Sequence, residues 1–404
     1  MLPALTARGW SCQLGLTAGR FCDPGSYLTS NSWQNVTIIH NRSGTREGRI
    51  RSILGTLKYE RPEFLVVINT PDAYIAASRI KKNRPKVIMA LHGIEPQFYR
   101  DIETYGAVID AVVVPSRLAL HLVNSITGYP AHRAYRIPAG VDLRNVQITS
   151  PVKPLHIVYS GRLAEDAKRV QDIPPILRQL DRWGVDYEMT IAGDGPMREW
   201  LQSQLEAVDG KVRFLGTLSK AALFEKVYLP GRVLLITSER ETGPLVAWEA
   251  MSAGMAVVSS EYTGLRAENV LQHASNSLIF PVGDHPAAAK ALQLSQKDEL
   301  YLAMANSGLQ LARESYSIEL MSDRWSELLG SLTQLTMAEG GRISFDHPPD
   351  GRLARWLGHA SAEWLRVATQ RSYAHISAGG EWPHSYSSHE LTEKYLQAIA
   401  SASA

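Results

Sequence analysis

The residue types best suited to chemistry lie together in Ser238–Gly254, SERETGPLVAWEAMSAG. They follow the apolar run Val233–Thr237 (VLLIT), so a strand is expected to lead directly into them. Gly243 and Pro244 open a predicted helix, with Pro244 suited to the first helical position and Gly254 to the residue beyond the end. A helix that begins at the carboxyl end of a strand presents free backbone N–H groups and the positive end of its dipole, which together attract an anion. Glu241 stands just before this terminus. Glu249 lies five residues past Pro244, about 7–8 Å along a helix that rises 1.5 Å per residue. Carboxylates accept bidentate bonds from vicinal hydroxyls. The layout therefore suits an elongated ligand with a central phosphate and hydroxyl-rich ends. Glu249 sits between Trp248 and Ala250-Met251 on a mostly apolar helix, so a hydrogen-bonding partner is expected for it.

A second anion signal is Ser160–Arg169, SGRLAEDAKR, after the strand-like run His156–Tyr159. Gly161 permits a close backbone approach. Arg162 offers a planar fork for phosphate and Lys168 a point charge. Taken singly, each stretch also fits a solvated surface loop or helix.

Positioning such groups requires strands. Short apolar, β-branched runs recur at Cys12–Leu16, Phe64–Asn69, Lys86–Ala90, Ala111–Pro115 and Ala134–Ile137. They continue at His156–Tyr159, Glu188–Ala192, Val212–Leu215, Val233–Thr237, Ala256–Ser259 and Ser277–Phe280. Runs without polar alternation predict strands covered on both faces, hence parallel sheet, and the helix-length segments between them predict an α/β architecture. Thr70-Pro71-Asp72 carries the sequence of a cap, a first-turn proline and an early carboxylate, and Ser116 caps a helix over Arg117–Asn124. The aperiodic segment after Val141 marks a boundary. The expected division is a first domain over 1–142, a linker over 143–154, a second domain over 155–335 and an extension over 336–404. In that extension Leu353, Trp356, Leu357, Trp364 and Leu365 fall in one predicted helix flanked by Arg352, Arg355, Arg366 and Arg371, a composition that fits an interfacial helix or one packed back on the protein. Gly340-Gly341, Pro348-Pro349 and Gly379-Gly380 punctuate it. Leu2–Gly9 has the pattern of a helix closed by glycine, where a doubly wound domain opens with a strand and a glycine-rich turn. The expectation is a chain that starts inside the first helix.

Composition excludes several classes. Of 404 residues, 45% are hydrophobic and 20% charged, which is globular rather than disordered. No run of 18 uncharged apolar residues predicts a spanning helix. Two cysteines, Cys12 and Cys22, cannot build a disulfide framework or a four-thiolate zinc site. The expected location is the cytoplasm, including the inner face of the membrane. Residues 1–142 hold 17 Lys/Arg against 10 Asp/Glu, and the rest 25 against 30. A basic first half suits an anionic partner, or is drift between two domains.

The ordered set GRLAEDAKR, AGDGP (Ala192–Pro196), VRFLG (Val212–Gly216), Glu241-x7-Glu249, Gly264…Glu268 and SLIFPVGD (Ser277–Asp284) resembles the retaining glycosyltransferases of family four, which have the GT-B fold. The resemblance covers about residues 155–330. It continues more weakly through RPEFLVVINTP, MALHGIEP, VVVPS and IPAGVD. It implies two Rossmann-like parallel-sheet domains; this sequence departs from the family pattern in that its first domain is expected to lack the first strand and the glycine-rich turn after it. It implies transfer of a sugar from a nucleotide-sugar donor to an acceptor hydroxyl with retention, in cell-surface polysaccharide or glycolipid synthesis, by front-side attack in which the donor phosphate takes the acceptor proton. It also assigns roles. Arg162, Lys168 and the backbone of Gly243, Pro244, Leu245 and Val246 would hold the donor diphosphate. Glu249 would accept the ribose hydroxyls, and Glu241 would contact the donor sugar. His92, in LHGIEP, would reach that sugar from the first domain. No cofactor and no metal are expected, since the sequence has no Asp-x-Asp pair and no ligand spacing among its histidines. The expected partners are the nucleotide-sugar and an acceptor glycan or glycolipid. Arg42, Arg46, Arg49, Arg51 and Lys58 suggest a peripheral contact with an anionic membrane; nucleic acid is not expected. The alternatives are an inactive or binding-only GT-B protein and a nucleotide-sugar epimerase of the same architecture. Gly193-x-Gly195 has Arg198 in place of a third glycine, which speaks against a dinucleotide fingerprint.

Overall fold

A computed structural model describes residues 1–18, 24–30, 33, 35–149, 154–335, 351–371 and 389–403. The chain forms two compact units. One comprises Met1–Pro115, Ala119–Ile137 and Arg324–Ala398, the other Ser116–Leu118, Pro138–Asp323 and Ile399–Ala404.

In the first unit, Leu14–Thr17 (β1) and Val36–Ile39 (β2) pair in parallel as a two-stranded sheet. Phe64–Val67 (β3), Lys86–Ala90 (β4), Ala111–Val114 (β5) and Ala134–Arg136 (β6) form a separate parallel sheet in sequence order. β2 has no counterpart among the expected strands. Asn35-Val36-Thr37 and Ile38-Ile39 make a run too short and too mixed to stand out from a loop.

Two members of the basic run of this unit, Arg46 and Arg49, are buried rather than solvent-facing. Helix Arg46–Glu60 is capped by Thr45, whose hydroxyl accepts the Gly48 N–H at 2.8 Å. Its first turn is buried. Asp72 accepts from Arg46 Nε and Arg49 Nε, each at 2.8 Å. Glu47 takes a two-pronged bond from Arg79 at 2.9 Å and another from Arg51 at 2.7 Å. Buried charges persist only when paired, and here they are. Arg42, Arg51 and Lys58 remain exposed. Asp72 is the first-turn carboxylate of helix Asp72–Ser78, as expected, but Pro71 rather than Thr70 is the N-cap, no side chain caps it, and the carboxylate also serves the arginines.

The second unit carries Leu155–Ser160 (β7), Tyr187–Ala192 (β8), Val212–Gly216 (β9), Val233–Ile236 (β10), Ala256–Ser260 (β11) and Leu278–Phe280 (β12). All pair in parallel, in the order β12-β11-β10-β7-β8-β9. Counted within the unit this is the doubly wound order, and the strand order reverses between β7 and β10. β10 and β11 are buried along their whole length, as expected for strands covered on both faces. One face packs Ile157, Leu177, Leu180 and Met189. The other packs Val158, Leu234, Trp248 and Met251.

Gly193 explains part of the AGDGP motif. It has φ +127°, and a Cβ there would lie 1.9 Å from the Gly161 carbonyl oxygen. The loop after β8 lies directly on the loop after β7. Gly161 N–H donates to the Ala192 carbonyl and Leu163 N–H to that of Asp194. The glycine serves this backbone contact.

The aromatic and arginine set near the C-terminus falls on helix Gly351–Ala368. The paired glycines and prolines expected to punctuate that region, and Cys22, lie outside the described residues.

Candidate functional site

The site is assembled at the carboxyl ends of β7 and β10, where the sheet order reverses. Open α/β sheets bind ligands at this crevice. Two loops meet there and are stitched together. The Thr237 hydroxyl donates to the Lys168 carbonyl at 2.8 Å, and Glu239 N–H donates to the Ala167 carbonyl at 2.9 Å. The stitching brings Lys168 Nζ to 2.6 Å from Glu241 Oε1. Ser238 Oγ donates to the same oxygen at 2.6 Å. Glu241 thus holds a fixed rotamer at the mouth of the crevice, with its second oxygen available.

Helix Leu245–Ser252 follows. Pro244 is its N-cap, with φ −68° and ψ 100°, and not its first helical residue as the sequence suggested. Its carbonyl accepts Ala247 N–H at 2.8 Å. Proline has no N–H, so the helix-end donors are Leu245 and Val246, with Gly243 in the turn before them. Gly243 has φ +97°, a conformation that favours glycine. Past the helix, Gly254 at φ +79° closes the C-terminus, and its N–H donates to Met251 O.

Glu249 is the carboxylate held by a partner, and the partner is Tyr228. Its hydroxyl donates to Glu249 Oε2 at 2.9 Å and lies 3.1 Å from Ser160 Oγ, the last residue of β7. Burial raises the Glu249 pKa. The Tyr228 hydrogen bond and the positive charge of Lys220 oppose that shift, and Asp142 adds to it. Tyr228 itself is pushed well above the usual tyrosine range, by burial first and then by the Glu249 charge, so it remains a donor. Tyr228 closes a π-helical turn, Phe224–Tyr228, a local widening often found at functional sites. Sequence reasoning missed Tyr228, Ser160 and Ser238. A phenol 21 positions from its carboxylate leaves no spacing signal.

Arg162 is not drawn into this cluster. Its side chain is exposed and engages Asp166 at 3.2 Å, while its carbonyl accepts the Tyr159 hydroxyl at 3.0 Å. Glu268 is buried, on the short helix Leu265–Glu268. His92 belongs to the other unit. It follows β4, where Leu91 N–H donates to the Val113 carbonyl. The residue is exposed to solvent, while the surrounding protein partly desolvates the ring and lowers its pKa from 6.5. The structure therefore gathers Lys168, Glu241, Glu249 and the donors of Gly243, Leu245 and Val246 in one unit.

This arrangement offers a cation, free amides at a helix terminus and two separated carboxylates. It is suited to a diphosphate flanked by hydroxyl-bearing groups.

Residues 154–297 match the family model described as glycosyl transferases group 1. Over 178 residues the chain is 26% identical to an α-1,4-N-acetyl-D-galactosaminyltransferase of Campylobacter jejuni that acts on a diNAcBac-PP-undecaprenol-linked glycan, covering 44% of this chain and 48% of that enzyme. It is 24% identical over 324 residues to Escherichia coli WcaL, a glycosyltransferase named for colanic acid biosynthesis, covering 75% and 78%. The matches to the first curated relatives span about half their length or less. Among solved structures, Anabaena HepE in complex with UDP aligns with TM-score 0.60 at 18% identity, over 73% of this chain and 86% of that one. The sucrose-phosphate synthase of Thermosynechococcus elongatus aligns at 0.66 and 16%, over 82% and 91%. The chain thus has the GT-B fold, and its residues 154–297 are similar to the glycosyl transferases group 1.

Proposed function

We propose that the protein is a retaining, metal-independent glycosyltransferase that moves a sugar from a nucleotide-sugar to a hydroxyl of an acceptor glycan or glycolipid, in cell-surface polysaccharide or glycolipid synthesis at the inner face of a membrane. The observation that carries this reading is the helix terminus at the reversal point of the second sheet, with the Lys168–Glu241 pair on one side and Glu249 on the other. Lys168 and the amides of Gly243, Leu245 and Val246 hold the donor diphosphate and stabilise the charge that grows on it as the sugar leaves. Arg162 swings from Asp166 to join them. Glu249, held by Tyr228, accepts the ribose hydroxyls. Glu241 contacts the donor sugar. The relatives that act on lipid-linked glycans or are named for polysaccharide synthesis support the acceptor class. Cationic side chains and a helix dipole can neutralise a diphosphate, which supports independence from metal.

The test is thermal-shift binding of UDP, GDP, ADP and their sugars, with and without EDTA. A ligand bound only to the native state at a hundredfold excess over its dissociation constant adds about 2.7 kcal/mol of stability. One nucleotide family is expected to raise the melting temperature, equally with EDTA. No shift with any nucleotide defeats the donor site, and a shift abolished by EDTA defeats metal independence. Product stereochemistry, read by NMR of the new anomeric centre, tests retention.

A further inference from the structure

Helix Gly351–Ala368 is turned inside out. It kinks at Gly358, with φ 73° and ψ 163°. Beyond the kink its charged residues face inward: Glu363 is 4% exposed and Arg366 6%. Its large apolar residues face solvent: Trp356 is 88% exposed, Leu357 49%, Trp364 69% and Val367 50%. The polar face fixes this orientation. The hydroxyl of Thr45 donates to Glu363 Oε2 at 2.7 Å, and Arg366 lies 4.0 Å from the same oxygen. Gly48 makes the approach possible, since a Cβ there would lie 2.6 Å from Glu363 Oε1. The segment after the kink therefore cannot roll Trp364 inward without losing a buried carboxylate's partners.

Scattered exposed apolar residues are ordinary, but four large ones fall within 12 positions of this helix, Trp356 and Leu357 just before the kink and Trp364 and Val367 after it. The charge pattern says what it faces. Between 351 and 371 the exposed charges are Arg352, Arg355 and Arg371, and the single acidic residue, Glu363, is buried. Tryptophan with arginine suits the boundary between lipid headgroups and acyl chains, where an indole has one apolar body and one polar N–H. No described helix is long and apolar enough to cross a membrane.

We propose that this helix docks the chain on an anionic lipid surface, with Trp356, Leu357, Trp364 and Val367 entering the headgroup layer and Arg352, Arg355 and Arg371 pairing with lipid phosphates. In the basic run of the first unit, by contrast, Arg46 and Arg49 are spent on internal ion pairs with Asp72. The inference deepens the membrane-face reading above and rests on it.

The test is co-sedimentation of the full chain with phosphatidylcholine vesicles, with and without a minority of phosphatidylglycerol, alongside UDP thermal shift. Binding to the anionic vesicles is expected at low salt. It should fall about tenfold in Trp356→Ser/Trp364→Ser, whose buried apolar area drives insertion. Arg352→Gln/Arg355→Gln/Arg371→Gln should lose the preference for phosphatidylglycerol. Both variants should keep the parent's melting temperature and UDP response. Parent-like vesicle binding by the tryptophan variant overturns the proposal, as does no binding by the parent. Sedimentation velocity that shows a dimer broken by the tryptophan variant, with vesicle binding unchanged, assigns the face to a second copy and also overturns it. Vesicle binding without any nucleotide response leaves the docking surface standing and removes the transferase reading.

Discussion

Tyr228 holds Glu249 from 21 residues away, with its hydroxyl 2.9 Å from Oε2 and its ring carried by a π-helical turn. The bond keeps a largely desolvated carboxylate in place at the helix that caps the crevice. Burial and this bond pull the Glu249 pKa in opposite directions, and burial wins.

Two pH effects of opposite sign follow. A carboxyl group whose folded pKa is raised binds its proton more tightly in the folded state, so its contribution to stability grows as pH falls through that pKa and shrinks above it. Glu249→Gln should therefore raise the melting temperature of the ligand-free protein at neutral pH. Ribose recognition needs the ionised form as acceptor, so nucleotide affinity should fall on acidification, with a midpoint above the ordinary Glu value of 4.5. Tyr228→Phe removes the opposing bond and should move that midpoint up further. Its loss of a hydrogen bond to a charged group predicts affinity weaker by about tenfold at neutral pH. Thermal melting checks the Glu249→Gln stability and titration calorimetry across pH the affinities, and a Tyr228→Phe midpoint at or below the parent's contradicts the assignment.

The Lys168–Glu241 pair predicts a split between binding and turnover. Lys168→Ala removes a charge-assisted contact to the diphosphate and should weaken nucleotide binding by about ten- to hundredfold. Glu241→Ala frees Lys168 for phosphate, so nucleotide binding should hold or tighten while transfer falls by about a hundredfold. Parallel losses of binding and transfer in both variants would show that the pair acts only as a structural ion pair.

Most of this was legible in the sequence because parallel strands announce themselves. β4, β5 and β10 are unbroken β-branched or apolar runs, and their bounds agree with expectation to within a residue or two. The helix after β10 was visible from Gly243, Pro244 and Gly254, though proline took the capping position. What stayed hidden depends on distance in the chain. Nothing in the spacing of Thr45, Asp72 and Glu363 says that a basic helix start will be buried among them. Tyr228 likewise stands in an unremarkable segment, FEKVY, and acquires its role from the turn that aims it.

Gly193 predicts a local and severe substitution. Gly193→Ala places a methyl 1.9 Å from the Gly161 carbonyl oxygen at φ +127°. Neither the backbone clash nor the conformation can relax without separating the loops after β7 and β8. A loss of about 2 kcal/mol or more is expected, with weaker nucleotide binding because the Gly161 loop leads to Lys168. Gly55→Ala is the control. Its Cβ meets nothing within 4 Å inside helix Arg46–Glu60, and it should gain about 0.5–1 kcal/mol. Urea unfolding of both variants reads the contrast directly.

Asp72 supplies the last prediction, because one carboxylate, 1% exposed, serves two buried guanidinium groups at 2.8 Å each. Removing one partner of a buried pair leaves charge without compensation and typically destabilises by about 3–5 kcal/mol. Asp72→Ala should lower the urea midpoint by an amount near the lower figure, since Arg46 and Arg49 keep other interactions. The network is not expected to be worth that much in itself. A buried ion pair replaced by apolar residues of similar volume is often neutral, so adding Arg46→Met and Arg49→Met to Asp72→Leu should recover a large part of the loss. If Asp72→Ala unfolds at the parent's midpoint, the two arginines do not depend on Asp72. If the triple variant recovers nothing, the network fixes the start of helix Arg46–Glu60 in a way that apolar packing cannot replace.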